Sequence, residues 1–387
     1  MKGNKTTITI AVMSIFFIAM GVGTITAAIQ NIAEAFSQLK FSTVLLVSTL
    51  PSLFIIPSTA LAGMMAGNRI RYRTLLIVGI LLFVLAGAAP FFMNDFTSIL
   101  ISRAVFGIGL GMISPLGNAL ILSLYEGQER ANMLGLSGVI MNLGGIVLQM
   151  LGAILCTISW RHAFLAHLLG IISLVMVIFM LPEPEKKEQL DQVKMKMPAA
   201  VYFISILFGI VMMLNYPMLV NMSTIIITGN LGDAASAGFV LSMFTVGGMV
   251  AGAIFGKLYQ KATRFTISIG LAILSVGMGC VNYANSLMML TVGAALVGMG
   301  FGIVMPAVMM IIGMIVPPEG FAAASGILMA IMNVGGFIST YYIALLLNIN
   351  DSIRFPIFIA MVIYAISALV YTLSKIKTPP AISTPLK

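Results

Sequence analysis

What most limits the folds open to this chain is a succession of long apolar runs separated by short polar connections. Cut at charges and turn residues, the runs cover residues 7–29, 42–66, 74–93, 97–124, 131–157, 160–181, 198–227, 234–256, 264–283, 286–315, 320–347 and 353–374. A helix rises about 1.5 Å per residue, so roughly 20 residues cross about 30 Å of hydrocarbon. Each run is long enough to do so. Only 8% of the 387 residues are charged and 60% are hydrophobic. A soluble domain carries about 25% charged residues, so most of this surface is expected to face lipid. The reading is an all-α integral membrane protein with twelve transmembrane helices.

The formal charge is +9. The basic residues lie between the runs and form no single stripe, so they report topology, and no nucleic-acid partner is expected. With the N-terminus in the cytoplasm, sixteen Lys and Arg fall on the inner side. Lys40, Arg161 and Arg354 fall outside, and Arg103 lies within a run. Both termini are therefore expected in the cytoplasm. Lys2 and Lys5 before an apolar run imitate a leader peptide. That run is too long for one, no small-residue cleavage site follows, and we read it as the first span. Cys156 and Cys280 have no metal-ligand or disulfide-framework spacing. We expect no metal and no cofactor.

An internal repeat organises the runs. Gly107, Gly109, Gly111 and Pro115 recur as Gly298, Gly300, Gly302 and Pro306, 191 residues later. Ile140-Met141-Asn142-Leu143-Gly144-Gly145 recurs as Ile331-Met332-Asn333-Val334-Gly335-Gly336 at the same offset. Residues 1–181 thus form one six-helix bundle, 182–197 a mixed-charge cytoplasmic linker, and 198–387 a second bundle. Each half holds an even number of helices, so the two pseudo-symmetric bundles run parallel. Parallel repeats of this kind suit transporters that rock one half against the other. Glycines such as Gly248, Gly252 and Gly256 let helices approach closely, and we expect them to serve helices that slide.

With these motifs in place, the chain resembles the major facilitator superfamily over its full length. The loop after the second run reads Gly63-Met-Met-Ala-Gly67-Asn68-Arg69-Ile70-Arg71-Tyr72-Arg73. It is similar to that family's signature loop at Gly63, Arg71 and Arg73. Gly67 stands where the family has an aspartate, and Ile70 where it has a glycine. Gly256 to Arg264 is a second degenerate copy, with Gln260 in the acidic position. Arg103 before Gly107 and Gly109 resembles the family's fourth-helix motif. Gly135, Gly144 and Gly152 resemble its antiporter motif, with Leu148-Gln149 replacing a Gly-Pro pair. The resemblance implies secondary transport by alternating access, with Gly63, Arg71, Arg73, Gly256 and Arg264 in gating loops.

All 11 Asp and Glu fall in connections or at run ends. A proton-driven carrier of organic cations usually needs a carboxylate inside the membrane. Their placement turns the expectation toward an organic anion or a neutral metabolite. Arg103 is then either a counter-ion for cargo, a gating or coupling residue, or a structural group bonded to carbonyls. Asn142, Gln149, Asn215, Tyr216, Asn333 and Thr340 are the other candidates, placed near midplanes where a shared cavity would lie. Trp160, Arg161, His162 and His167 read as an interfacial anchor cluster, with histidine titration during proton coupling as the alternative.

No H-E-x-x-H, serine elbow or P-loop is present, so we expect neither an enzyme nor direct ATP drive. The expectation is a monomeric secondary transporter of a small molecule in a bacterial plasma membrane, with protons as candidate coupling ion. The alternatives are a multidrug/proton antiporter and, outside transport, a membrane receptor or sensor.

Overall fold

The structure is a computed structural model that describes residues 5–67, 69–183 and 197–373. Twelve apolar helical segments run in order among them. They are α1 (Lys5–Ala35), α2 (Phe41–Met65), α3 (Tyr72–Phe92), α4 (Phe96–Leu124), α5 (Gly127–Cys156) and α6 (His162–Met180), then α7 (Ala199–Thr228), α8 (Ala234–Ala262), α9 (Thr266–Asn282), α10 (Leu287–Ile315), α11 (Pro318–Leu347) and α12 (Phe355–Leu373). Eleven are long and apolar enough to cross a membrane, and Thr266–Asn282 is a shorter apolar helix. The fold is all-α and integral to the membrane. Helix is the economical state for such runs, since lipid offers no partner for a free backbone N–H or C=O.

Helix ends follow local chemistry. The carboxylate of Asp95 accepts from the Ser98 amide at the start of α4, and the hydroxyl of Ser286 accepts from the Met289 amide at the start of α10. These caps are themselves 191 residues apart. At the far end of α4, Arg130 Nε donates to Tyr125 O and its Nη2 to Leu122 O. A cation there satisfies carbonyls the helix leaves open.

Two expectations need revision. α8 runs on to Ala262, beyond the expected residue 256, and takes Lys257 and Lys261 into the helix. α1 is not uniform: an α-helix over Lys5–Ile18 gives way to a 3-10 segment over Gly21–Ala28, then to α-helix over Ile29–Ala35. The start of α6, His162–Leu169, and the end of α3, Ala89–Phe92, are also 3-10. Gly21 has the Phe83 ring where a Cβ would stand, 2.5 Å away. The Thr24 and Thr26 hydroxyls donate to the Gly21 and Gly23 carbonyls at 2.8 and 2.7 Å. These local bonds favour the tighter winding.

Two compact units emerge, one from residues 1–190 with 232–238, the other from 191–231 with 239–387. The expected linker over 182–197 lies mostly outside the described residues. In the first unit, a Cβ on Gly107 would meet the Pro51 backbone of α2, and one on Gly109 would lie 2.7 Å from Gly79 O of α3. One on Gly144 would fall on Phe17 O of α1. In the second unit, Gly298 meets Phe244 of α8, Gly300 lies against Gly270 O of α9 at 2.7 Å, and Gly335 meets Gly209 O of α7. The repeat therefore extends to partner helices that share little sequence. These glycines bring helices into close backbone contact inside each unit. Of Gly248, Gly252 and Gly256, Gly248 alone approaches another helix, 3.5 Å from Gly298 O; the other two face open space.

Candidate functional site

Arg103 sits in α4 and is fully buried in the first unit. Its Nε donates to Val47 O of α2 at 3.0 Å. Its guanidinium carbon lies 4.0 Å from the Phe106 ring centroid and 5.9 Å from that of Phe164. Nη1 and Nη2 have no hydrogen-bond partner among the described residues. The aromatic faces supply roughly 0.5–2 kcal/mol of cation–π attraction, less than the cost of taking a guanidinium out of water. The backbone-bonded geometry read from the sequence is therefore present, with two donors left over.

His167 departs from its expected role as an interfacial anchor. It is fully buried, with its ring 4.9 Å from Phe106 and 5.4 Å from Phe83. Gly87 is the reason it fits: a Cβ there would stand 2.7 Å from the imidazole. Its Nδ1 lies 2.9 Å from Phe164 O. Trp160 and Arg161 do form a surface pair, with the guanidinium 5.1 Å from the indole.

The candidate amides separate into two kinds. Asn142 Nδ2 donates to Gly138 O and Asn333 Nδ2 to Met329 O, both at 2.9 Å. These are matching bonds within one helix. Gln149 Nε2 reaches across to Thr26 Oγ1 at 3.2 Å, beside the 3-10 segment of α1. In the second unit, Asn215 is fully buried and its Oδ1 accepts from Tyr364 at 3.0 Å, while its Nδ2 has no partner. Tyr364 is also within 2.7 Å of Val211 O. Tyr216 packs against Gly336, and Thr340 is buried. Nothing along the chain singles out Tyr364, which stands 191 residues after Ser173. Ser173 likewise bonds a carbonyl of its bundle's first helix, donating to Ser14 O at 2.6 Å.

The signature-like loop has a physical reason for its missing aspartate. Gly67 has φ +73°, and a Cβ there would lie 2.8 Å from the Tyr72 ring. A left-handed backbone in a crowded turn suits glycine. The acidic group arrives from elsewhere: Glu183 accepts from the amides of Tyr72 at 2.7 Å and Arg73 at 3.1 Å, at the N-terminus of α3. Arg73 Nη2 donates to Ile178 O of α6. The loop is thus tied to the end of α6 within the first unit. Gly63 and Gly256 both face open space, Arg71 is exposed, and the Arg264 side chain lies outside the described residues. On the same unit, Lys5 and Glu129 form a solvent-facing ion pair at 2.8 Å.

Two carboxylates outside the spans are held below their ordinary range. Ser98 amide and hydroxyl donors do this at Asp95, and the matching Ser236 donors at Asp233. Both are helix caps. Among the described residues, no group of three His, Cys, Asp or Glu could hold a metal.

The family model described as Major Facilitator Superfamily matches residues 11–208 and 201–387. The chain belongs to that superfamily. It is 28% identical over 181 residues to the multidrug transporter protein MdtP of Bacillus subtilis, a match covering 46% of this chain and 33% of that one. The next curated relatives are matched over still smaller shares of their length, so the chain spans a third or less of the first of them. The quinolone resistance protein NorA of Staphylococcus aureus is 21% identical, covering 76% of this chain and 78% of its own. Among solved structures, a D-xylose-proton symporter superposes with TM-score 0.77 at 16% identity, covering 98% of this chain and 99% of that one. A bacterial homologue of the lysosomal transporter Spinster gives 0.70 at 16% identity, covering 95% of each chain. At these identities the structures establish the fold alone.

Proposed function

We propose that the protein is a multi-pass secondary active transporter that moves a small solute by alternating access. It is neither an enzyme nor a nucleic-acid-binding protein. We favour an organic anion or a neutral metabolite as cargo, a proton or ion gradient as driving force, and a monomer in a bacterial plasma membrane with both termini cytoplasmic. The observation that carries the anion preference is Arg103, a buried guanidinium with two nitrogens that have no partner, and no ion pair to a carboxylate, among the described residues. A positive site that lacks its own counter-ion favours negative cargo. Glu34, the acid nearest a span interior, is exposed and bonded to Gln30.

The second reading is multidrug efflux by proton antiport, supported by the likeness to MdtP and NorA. Transport in proteoliposomes separates the two. A panel of small carboxylates, neutral metabolites and cationic dyes is offered with and without a pH gradient. Saturable, gradient-driven flux of a carboxylate or neutral solute is expected. Flux of cationic dyes alone would move the assignment to efflux, and no flux of any solute would reopen a receptor role.

A further inference from the structure

The repeat supplies an internal control for the buried charge of the first unit. The residues 191 positions after Arg103 and Phe106 are Ala294 and Val297. Both are apolar and fully buried in the second unit. Packing at this point of the repeat therefore does not need an arginine.

Arg103 and His167 share one aromatic support. Phe106 lies 4.0 Å below the Arg103 guanidinium and 4.9 Å from the His167 ring, and the two groups interact electrostatically. Phe164 O can only accept, so His167 Nδ1 carries a proton and Nε2 holds the lone pair of the neutral ring. Nε2 makes no close hydrogen bond among the described residues, nor do Arg103 Nη1 and Nη2, although a Gly21 backbone acceptor also faces the ring. The groups around the imidazole are the Gly21 backbone from α1, Phe83 and Gly87 from α3, Arg103 and Phe106 from α4, and Phe164 from α6. Arg103 is the charged member of that set.

We propose that Arg103 and His167 form a co-binding site for a proton and a small monovalent anion of chloride or formate size. The anion lies on Arg103 Nη1 and Nη2, and the proton on His167 Nε2. Neither ligand suits the site alone. A proton by itself adds a second positive charge beside a buried guanidinium. An anion by itself faces the Nε2 lone pair. Bound together, Nε2–H donates to the anion, and the site keeps the single positive charge it began with. Each ligand then raises the affinity for the other by the same factor. The 3-10 segment Gly21–Ala28 lies in the middle of α1, one of the helices that surround the pair. A mid-helix stretch of this kind often marks a hinge, which gives the buried site a way to open. Coupling of this binding to transport rests on the function proposed above; the binding itself does not.

The chain's single tryptophan makes the test direct. Trp160 lies 6.2 Å from the Phe164 ring, which is 5.9 Å from the Arg103 guanidinium. The purified full chain in detergent is titrated with sodium chloride and, separately, sodium formate against gluconate at constant ionic strength, at pH 5.5 and 7.5. Trp160 emission and the melting temperature are read. A saturable, stabilising response is expected, with affinity several-fold tighter at the lower pH. Arg103→Gln should abolish it, Arg103→Lys should weaken it, and His167→Gln should retain binding without the pH dependence. Arg161→Gln controls for the cation beside the indole and should leave the response in place. A response that is absent, that does not vary with pH, or that survives both Arg103 variants overturns the site. If Arg103→Gln does not fold, the wild-type pH comparison and Arg103→Lys still decide. Solute flux without any anion response would discard this site and leave the transporter standing. An anion response without flux would do the reverse.

Discussion

Replacing Gly144 with alanine tests whether the glycines of α5 and α11 serve as rigid contacts. A Cβ on Gly144 would overlap the Phe17 carbonyl oxygen and stand 2.6 Å from its carbon. The obstacle is backbone, which cannot rotate aside. Carbon atoms prefer about 3.5–4.0 Å, so α1 and α5 must part by about 1 Å there. Overpacking of this kind costs about 1–3 kcal/mol. Gly252 provides the opposite case: it lies inside α8 with open space where its Cβ would go. Alanine at such a helical site gains up to about 1 kcal/mol in propensity. The two variants should therefore shift stability in opposite directions. For a unit of this size about 1 kcal/mol moves the melting temperature by roughly 2–4 °C, so they should differ by roughly 2–16 °C. Thermal unfolding in detergent, followed by Trp160 emission, measures the gap. Gly335→Ala, which meets the Gly209 carbonyl, should repeat the loss. If Gly144→Ala melts at or above the wild type, the close contact between α1 and α5 is refuted.

Three further outcomes follow from named contacts. Glu183→Gln removes the charge from two bonds to the α3 N-terminus. It should cost about 1–2 kcal/mol, read as a lower melting temperature; an unchanged melt would mean Glu183 does not hold the loop. Arg354→Gln removes the bonds from Nη1 to Val281 O and Asn282 O at the end of α9, and up to about 2 kcal/mol should be lost. Asp95 has its proton affinity lowered by the Ser98 donors, so its contribution is complete above the ordinary value of 3.8 and fades as pH falls through the lower folded value. Asp95→Asn should flatten the fall of melting temperature below about pH 4, and a slope identical to the wild type would exclude a role for the cap.

The sequence disclosed helix positions well because lipid-facing helices are bounded by charge and turn residues, and both are visible in order along the chain. The α4 and α10 limits lie 191 residues apart at both ends, as the glycine motifs imply. It disclosed winding poorly. Gly21–Ala28 is as apolar as its neighbours, and the 3-10 turn there depends on Phe83 from another helix filling the space beside Gly21. Glu183 was hidden for the same reason, since its partners Tyr72 and Arg73 lie more than a hundred residues away. For Arg103, the residue was legible as a charge within a span, but its stacking on Phe106 and Phe164 was not. His167 stands a short step from Trp160 and Arg161 along the chain, which suggests the surface, whereas Gly87 makes room for it inside.

Which candidates carry function can be argued from where the two units agree and where they part. Gly107, Gly109, Gly111 and Gly144 each have a glycine counterpart 191 residues on, meeting the counterpart helix in the same way. Asn142 and Asn333 also agree, down to the same bond to the carbonyl four residues earlier. Features held in common by both units are sufficiently explained by the fold they share. Such an amide bond is worth only about 0.6 kcal/mol in a membrane helix, which makes Asn142 and Asn333 the weakest of the proposed cargo contacts. The buried polar positions diverge instead. Arg103 answers to Ala294, Gln149 to Thr340 and Ser173 to Tyr364. The first unit thereby has a charged interior and the second a neutral one built on Asn215 and Tyr364. The glycine contacts that both units share do not account for that difference. The divergent set is therefore where specificity and coupling are best sought, with Arg103 and His167 first in the one unit and Asn215 with Tyr364 in the other.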